Sequence, residues 1–282
     1  MIFFNRFSAE KGLFFAGNEE NPDKKERRKV MGEITAAMPQ KRERIVLLDY
    51  LRGVGIIFVI WYHLMYDLLD FYGICGFILS DGMDIFRDIM VGMLVLISGI
   101  CCRYSRSNIK RGVICFFIAM GLTLITGLMG EYTVIRFGIL HMFGVSMLLY
   151  GLFEKLFQIN RPIWAAGVCF LGFLLFFAMQ FGALGFYRLE LLELPQAWYQ
   201  TPYLFWLGLP NRSFYSADYY PLFPWTLLFF TGAFLGAYAD RIPRMKPYRK
   251  LAALAWTGRH TMFLYLLHQP IFYGIFYLID LF

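Results

Sequence analysis

The chain has 282 residues, of which 59% are hydrophobic, 20% aromatic and only 17% charged. A water-soluble globule of that length could not bury so much apolar side chain, so the composition excludes a soluble domain and points to a polytopic membrane protein. The net charge of +7 does not indicate a nucleic-acid partner, because Lys and Arg collect just outside apolar runs instead of along one amphipathic face with interleaved aromatics.

Residues 1–44 mix short aromatic pieces, "MIFF" and "GLFF", with the charged run "NPDKKERRKV". No long apolar stretch follows a basic start, so this segment reads as a cytosolic arm, partly disordered or lying on the headgroups, and not as a cleaved signal peptide. Beyond it, apolar runs between charge clusters fall at 45–69, 85–102, 110–130, 133–153, 163–182, 221–239 and 254–281. A helix needs about 20 residues to cross a hydrocarbon core of about 30 Å. The expected fold is all-α, a polytopic integral membrane helical bundle of about seven transmembrane helices that fills residues 45–282.

Basic residues alternate between the connections. They crowd the arm from Arg6 to Arg44 and return at Arg103, Arg106, Lys110 and Arg111, at Lys155 and Arg161, and at Arg241, Arg244, Lys246, Arg249 and Lys250. The intervening connections carry only Arg87, Arg136, Arg188 and Arg212, and the first is acidic through Asp70, Asp81, Asp84 and Asp88. By the positive-inside rule the N-terminus is cytosolic and, after an odd number of spans, the C-terminus is outside. The outside connection 183–220 is rich in aromatics and prolines, which suits a lid, a binding surface or a short interfacial helix.

The first run, "RIVLLDYLRGVGIIFVIWYHLMYDL", places Asp49, Arg52, His63 and Asp67 in a helix otherwise fit for lipid. Arg52 and His63 are about three turns apart at 3.6 residues per turn, so they share a face and are separated by roughly 16 Å along the axis. Asp49 is spaced to pair with Arg52, and Asp67 to accept a hydrogen bond from one His63 nitrogen and leave the other as a base. Snorkelling alone would explain Asp49 and Arg52 at the helix end. An ionisable group at mid-membrane costs about 2.5–3.5 kcal/mol even on a lenient insertion scale, which makes His63 and Asp67 functional candidates by default.

Two further histidines fall in the middle or outer part of the membrane: His141, in "RFGILHMFGVSMLLY" after Arg136, and His268, in "YLLHQPIF". His260, in "TGRH", belongs to the cytosolic interface. His63, His141 and His268 with Asp67 would suffice for zinc, but no two of the histidines have the three- or four-residue spacing of helix-borne metal sites, and no metal is expected. Cys75, Cys101, Cys102, Cys115 and Cys169 likewise show no ligand spacing and read as small buried hydrophobes.

The first run resembles the signature of bacterial membrane proteins grouped with the heparan-α-glucosaminide N-acetyltransferase catalytic domain, within a wider superfamily of transmembrane acyltransferases. The resemblance continues through "IRFGILHMFGVSMLLY", "SADYYPLFPWTLLFFTGAFLGAY" and "WTGRHTMFLYLLHQPI", over about residues 44–275. It implies a plasma-membrane enzyme that takes an acyl group, usually acetyl, from cytosolic acyl-CoA and delivers it to an extracytoplasmic acceptor, often a glycan. Arg52 and His63 match the superfamily's Arg, ten intervening residues, then His. On this reading His63, as general base or transient acyl carrier, carries the chemistry with Asp67 and His141; Arg52, Asp49, Arg103 and Arg259, with Arg106, hold the CoA; and Arg136, Asp218 and His268 shape the acceptor side. The other partner implied is membrane lipid, and homo-oligomer formation stays open. The rival classes are a transporter with a proton- or ion-coupling polar stripe, for which no internal repeat is visible, and a structural protein of an envelope assembly.

The topology is directly testable. In a cysteine-free background on intact cells, a membrane-impermeant maleimide should label Arg212→Cys and spare Lys246→Cys; the reverse pattern would invert the bundle.

Overall fold

The computed structural model describes residues 44–281, so the expectation for the N-terminal arm lies outside the described residues. These residues form eight α-helices: α1 (Val46–Tyr72), α2 (Asp81–Cys102), α3 (Asn108–Met129), α4 (Ile139–Leu152), α5 (Pro162–Phe176), α6 (Leu222–Leu235), α7 (Ala252–Arg259) and α8 (Thr261–Ile279). Six of them, α4 and α7 excepted, are long and apolar enough to cross a membrane, α5 and α6 by way of the 3-10 turns that extend them to Phe181 and Arg241. The chain is therefore a polytopic helical membrane protein.

Local signals set the helix ends. Gly73, at a φ of 67°, stops α1 by donating its N–H to Leu69 O at 2.9 Å, a left-handed cap that costs glycine nothing. Ser80 and Ser107 cap α2 and α3 through their hydroxyl oxygens, and Asp81 and Asp84 sit in the first turn of α2, where the helix dipole favours negative charge. Pro162 opens α5, a position where its missing N–H costs no helix bond.

The expected span 133–153 is only partly helical. Helix α4 has 14 residues, about 21 Å at 1.5 Å per residue, and the outer part of the passage is extended chain. That backbone is satisfied group by group. Ile135 N–H donates to Thr126 Oγ1 at 3.0 Å, Thr123 Oγ1 donates to Ile135 O at 2.6 Å, and Arg136 N–H donates to Ser216 Oγ at 3.0 Å. Val134 O and Phe137 O accept from Ala217 and Tyr220 N–H at 2.9 and 3.0 Å. Irregular backbone at membrane depth is tolerated where protein covers it in this way.

The expected single span 254–281 is instead two helices broken at His260, whose φ of −110° and ψ of 23° leave the helical region. Its N–H donates back to Trp256 O and Thr257 O, and the Thr261 hydroxyl donates to Gly258 O. The short α7 packs closely on α1: a Cβ at Gly53 would collide with Leu254 O, and one at Gly258 with Asp49 O. Close approach through small residues is how helices gain contact where lipid supplies no hydrophobic drive.

The connection between α5 and α6 contains an antiparallel hairpin, β1 (Ala183–Phe186) and β2 (Leu189–Glu193), followed by short 3-10 helices at Gln196–Tyr199 and Phe205–Leu207. The tight turn between the strands puts Tyr187 at a φ of 61°, a strained position for a bulky residue. Beneath the hairpin lies the main apolar core, centred on Phe177, Trp225 and Phe229, which are almost wholly buried.

Gly258→Ala is expected to destabilise the fold by about 1–3 kcal/mol, the usual cost of overpacking, whereas Gly274→Ala, whose Cβ meets nothing within 4 Å, should not lower the melting temperature; thermal unfolding in detergent compares the two.

Candidate functional site

A cavity of about 750 Å³ runs between the helices. At the end where α1 and α3 begin it is lined by Arg52 from the second turn of α1, Arg111 from the first turn of α3 and Arg259 from the end of α7. Arg52 owes its place to the glycine contact of α1 with α7, and Arg259 to the break before α8, where its Nε donates to Ala255 O at 3.1 Å. Three guanidinium groups around one opening suit a polyanion, since each presents several donors in a fixed plane.

His63 lines the middle of the cavity with Tyr62, Cys115, Phe143 and Met147. Its Nδ1 lies 3.2 Å from Nε2 of Gln269 on α8. The expected direct bond from His63 to Asp67 is therefore replaced: Gln269 stands between them, hydrogen-bonded also to Asp67. Asp67 and His268, both buried, sit behind His63 and outside the cavity lining, and the two imidazole rings lie 4.9 Å apart.

Toward the opposite end, Arg87, Asp88, Arg188, Asp218, Tyr220 and Tyr265 line the cavity. Asp84 and Asp88 of α2 hold both arginines: Arg87 reaches Asp84 and Asp88 at 2.9 and 3.0 Å, and Arg188 reaches them at 3.3 and 2.9 Å. The hairpin turn delivers Arg188 and Tyr187 to this cluster, and the Tyr187 hydroxyl donates to Asp88 Oδ2 at 2.8 Å. Burial, and then the Asp88 carboxylate, push the Tyr187 phenol up to about 12, so it remains a donor across physiological pH.

Asp218 ties the outer wall together. Its Oδ2 accepts from Ile139 N–H at 3.0 Å and from the Tyr265 hydroxyl at 3.1 Å, which joins the start of α4 to α8. Burial raises its carboxyl above the ordinary range, opposed by those two donors and by the Arg87 charge. Gly138 is required beside it, because a Cβ there would strike Asp218 Oδ2.

His141 lies in the first turn of α4 and does not line the cavity. Its Nδ1 accepts from Gly138 N–H at 3.2 Å, so Nε2 carries the proton toward Thr123 Oγ1, also at 3.2 Å. Both nitrogens are thus occupied in capping α4 and bracing it on α3. Arg103 and Arg136 are exposed and outside the cavity, as is the half-buried Asp49 one turn before Arg52. The structure therefore brings Arg52, His63, Asp218 and Arg259 into one cavity, adds Arg111, Arg87, Asp88 and Arg188 to its wall and Gln269 behind His63, and leaves Asp49, Asp67, Arg103, His141, Arg136 and His268 off its wall.

Among the residues added, the Asp84, Arg87 and Asp88 group has helical spacing that was readable, but Arg188 arrives from a distant hairpin that no local pattern links to α2. Gln269 follows His268 directly and is uncharged, so a search for ionisable groups passes over it.

The family described as Heparan-alpha-glucosaminide N-acetyltransferase, catalytic, matches residues 44–270. No curated protein and no solved structure matches the chain.

Asp88→Ala should cost about 3–5 kcal/mol, the loss expected when one partner of a buried ion pair is removed. Hydrogen exchange should then quicken selectively over residues 183–193, because the hairpin turn loses its anchor on α2.

Proposed function

The chain belongs to the heparan-alpha-glucosaminide N-acetyltransferase catalytic family and is a transmembrane acyltransferase; on that premise we propose that it moves an acetyl group from cytosolic acetyl-CoA to a glycan-like acceptor outside the plasma membrane. The observation that carries this reading is the cavity itself, which has three cytosolic-side cations at one end, His63 in its middle and the Asp88, Arg188 and Asp218 cluster at the other.

Arg52, Arg111 and Arg259 bind the CoA phosphates, and the pantetheine arm extends along the apolar wall toward His63. An acceptor held by the outer cluster brings its hydroxyl or amine to the thioester carbonyl from the opposite side. His63 takes the acceptor's proton as the new acyl–oxygen or acyl–nitrogen bond forms, and returns it to the CoA sulfur as the thioester bond breaks. No net proton is gained or lost when the acceptor is a neutral hydroxyl. Holding both reactants in one cavity spares them the entropic cost of meeting.

His141 enters this scheme by positioning. It fixes the first turn of α4, and through Ile139 N–H it fixes Asp218. Asp49, Arg103 and Arg136 contribute to local charge at the two membrane faces rather than to the reacting groups.

Purified protein in nanodiscs with labelled acetyl-CoA and a panel of glycan acceptors tests the reading. His63→Ala should lower transfer by about two to four orders of magnitude, the range for loss of a general acid–base group, with thermal stability retained; Arg111→Ala should raise the KM for acetyl-CoA and leave kcat nearly unchanged. Full turnover in His63→Ala would remove His63 from the chemistry.

A further inference from the structure

Behind His63, away from the cavity, α1 and α8 enclose Asp67, His268 and Gln269. Asp67 is 5% exposed and His268 6%. Three atoms of this group, Asp67 Oδ2, His268 Nε2 and Gln269 Oε1, are buried without a hydrogen-bond partner among the described residues. A mid-membrane cluster that leaves polar atoms unpaired costs free energy that packing alone would not preserve.

The hydrogen-bond directions in this cluster are constrained. An amide nitrogen has two hydrogens to donate and no lone pair to accept with. Gln269 Nε2, facing His63 Nδ1 at 3.2 Å, can therefore only donate, and Nδ1 must be the lone-pair nitrogen. The neutral His63 ring then carries its proton on Nε2, which has no hydrogen-bond partner among the described residues and opens on the cavity. His268 is held in the opposite state: its Nδ1 lies 2.6 Å from the Tyr265 carbonyl, which only accepts, so its proton is on Nδ1.

We propose that Gln269 is a positioning residue that sets the tautomer of His63, with Asp67 acting on His63 through it by holding the amide nitrogen toward both. In this resting state His63 presents an N–H to the cavity and serves as a donor to the thioester carbonyl. It becomes the base of the reaction when Nε2 gives its proton to water in the cavity, Nδ1 takes one up from water, and the amide turns over to accept from Nδ1–H at Oε1; the ring gains no net proton and its Nε2 lone pair faces the acceptor.

The turned amide places Oε1 against the Asp67 carboxylate, and two oxygens repel unless Asp67 carries a proton that Oε1 can accept. The groups that face Asp67 are Asp70 from α1, one turn on, and Tyr273 from α8, and those that face His63 are Tyr62 from its own helix and His268 from α8. None of these is a cation fixed against Asp67, so the amide dipole alone answers its charge and couples its protonation to the state of His63.

The catalytic meaning of this switch rests on the acyltransferase reading, but the tautomer does not, and it is measurable without substrate. The experiment uses solid-state 15N spectra of histidine-labelled protein in lipid nanodiscs, with His63→Asn to assign the His63 signals. The expected result is Nε2–H for His63 and Nδ1–H for His268 in the unmodified protein. In Gln269→Leu the His63 signals should become a mixture of both tautomers while those of His268 stay unchanged, and kcat for acetyl transfer should fall by about tenfold or more with the KM for acetyl-CoA unaltered.

A His63 ring protonated on Nδ1 in the unmodified protein would overturn the proposal, and so would a Gln269→Leu variant with an unchanged tautomer. The first outcome can be read even if the variant does not fold. Absence of acetyl transfer in every preparation would count against the acyltransferase reading while leaving the tautomer result intact.

Discussion

A chain crossing lipid has to satisfy its own backbone, because no water stands ready to pair with a free N–H or C=O. The site in this protein sits where that demand is met by something other than an uninterrupted helix. Between α3 and α4 the chain runs extended and pairs with residues 217–220 of the outside connection. That pairing brings Asp218 onto the first N–H of α4 and the Tyr265 hydroxyl onto Asp218. A second interruption, between α7 and α8, turns Arg259 into the opposite end of the same cavity. The interruptions thus add Asp218 at one end of the cavity and Arg259 at the other, while the unbroken α1 carries His63 between them.

The cost of burying charge decides how each polar group is held. Asp88 is nearly enclosed, and both of its oxygens are taken, one by Arg87 and the other by Arg188 and Tyr187. With Asp84 the set is two acids and two bases, a balance that avoids an uncompensated ion near the membrane. Mid-cavity, the partners of His63 are a neutral amide and a second imidazole. Tyr265 joins these two regions, with its carbonyl holding His268 and its hydroxyl holding Asp218. A shift of α8 along its axis would therefore disturb the outer wall and the histidine pair together.

Much of this was legible in the sequence, and the limits follow from the range of each signal. Most of the spans were readable because apolar run length is a local property. The share of a face between Arg52 and His63 was readable because helical period fixes it. The break at His260 was hidden because "WTGRHTMFLYLLH" is apolar on both sides and contains no proline before Pro270. His141 was drawn into the chemistry by its depth, whereas its partner is a backbone N–H three residues earlier, a capping role that a histidine seldom signals. Asp67 was assigned to His63 by spacing along one helix; the actual geometry inserts a side chain from another helix, which spacing within α1 cannot reveal.

That last difference bears on how an ionisable stripe can persist in a membrane helix. If Asp67 bonded directly to His63, the pair would be an isolated acid–base couple, free to exchange its proton internally and settle as ions. Gln269 separates them by an amide that cannot be ionised, so the ring stays neutral and its proton is assigned by the direction of one dipole. A neutral ring costs little to bury, and the proposed turn of a single amide changes whether the nitrogen facing the cavity carries the proton. The polar stripe on α1 therefore depends for its chemistry on α8, and the place of α8 depends in turn on the break at His260 that also positions Arg259. The same fault in the helix pattern that sets the cytosolic cations in place holds the amide against the histidine.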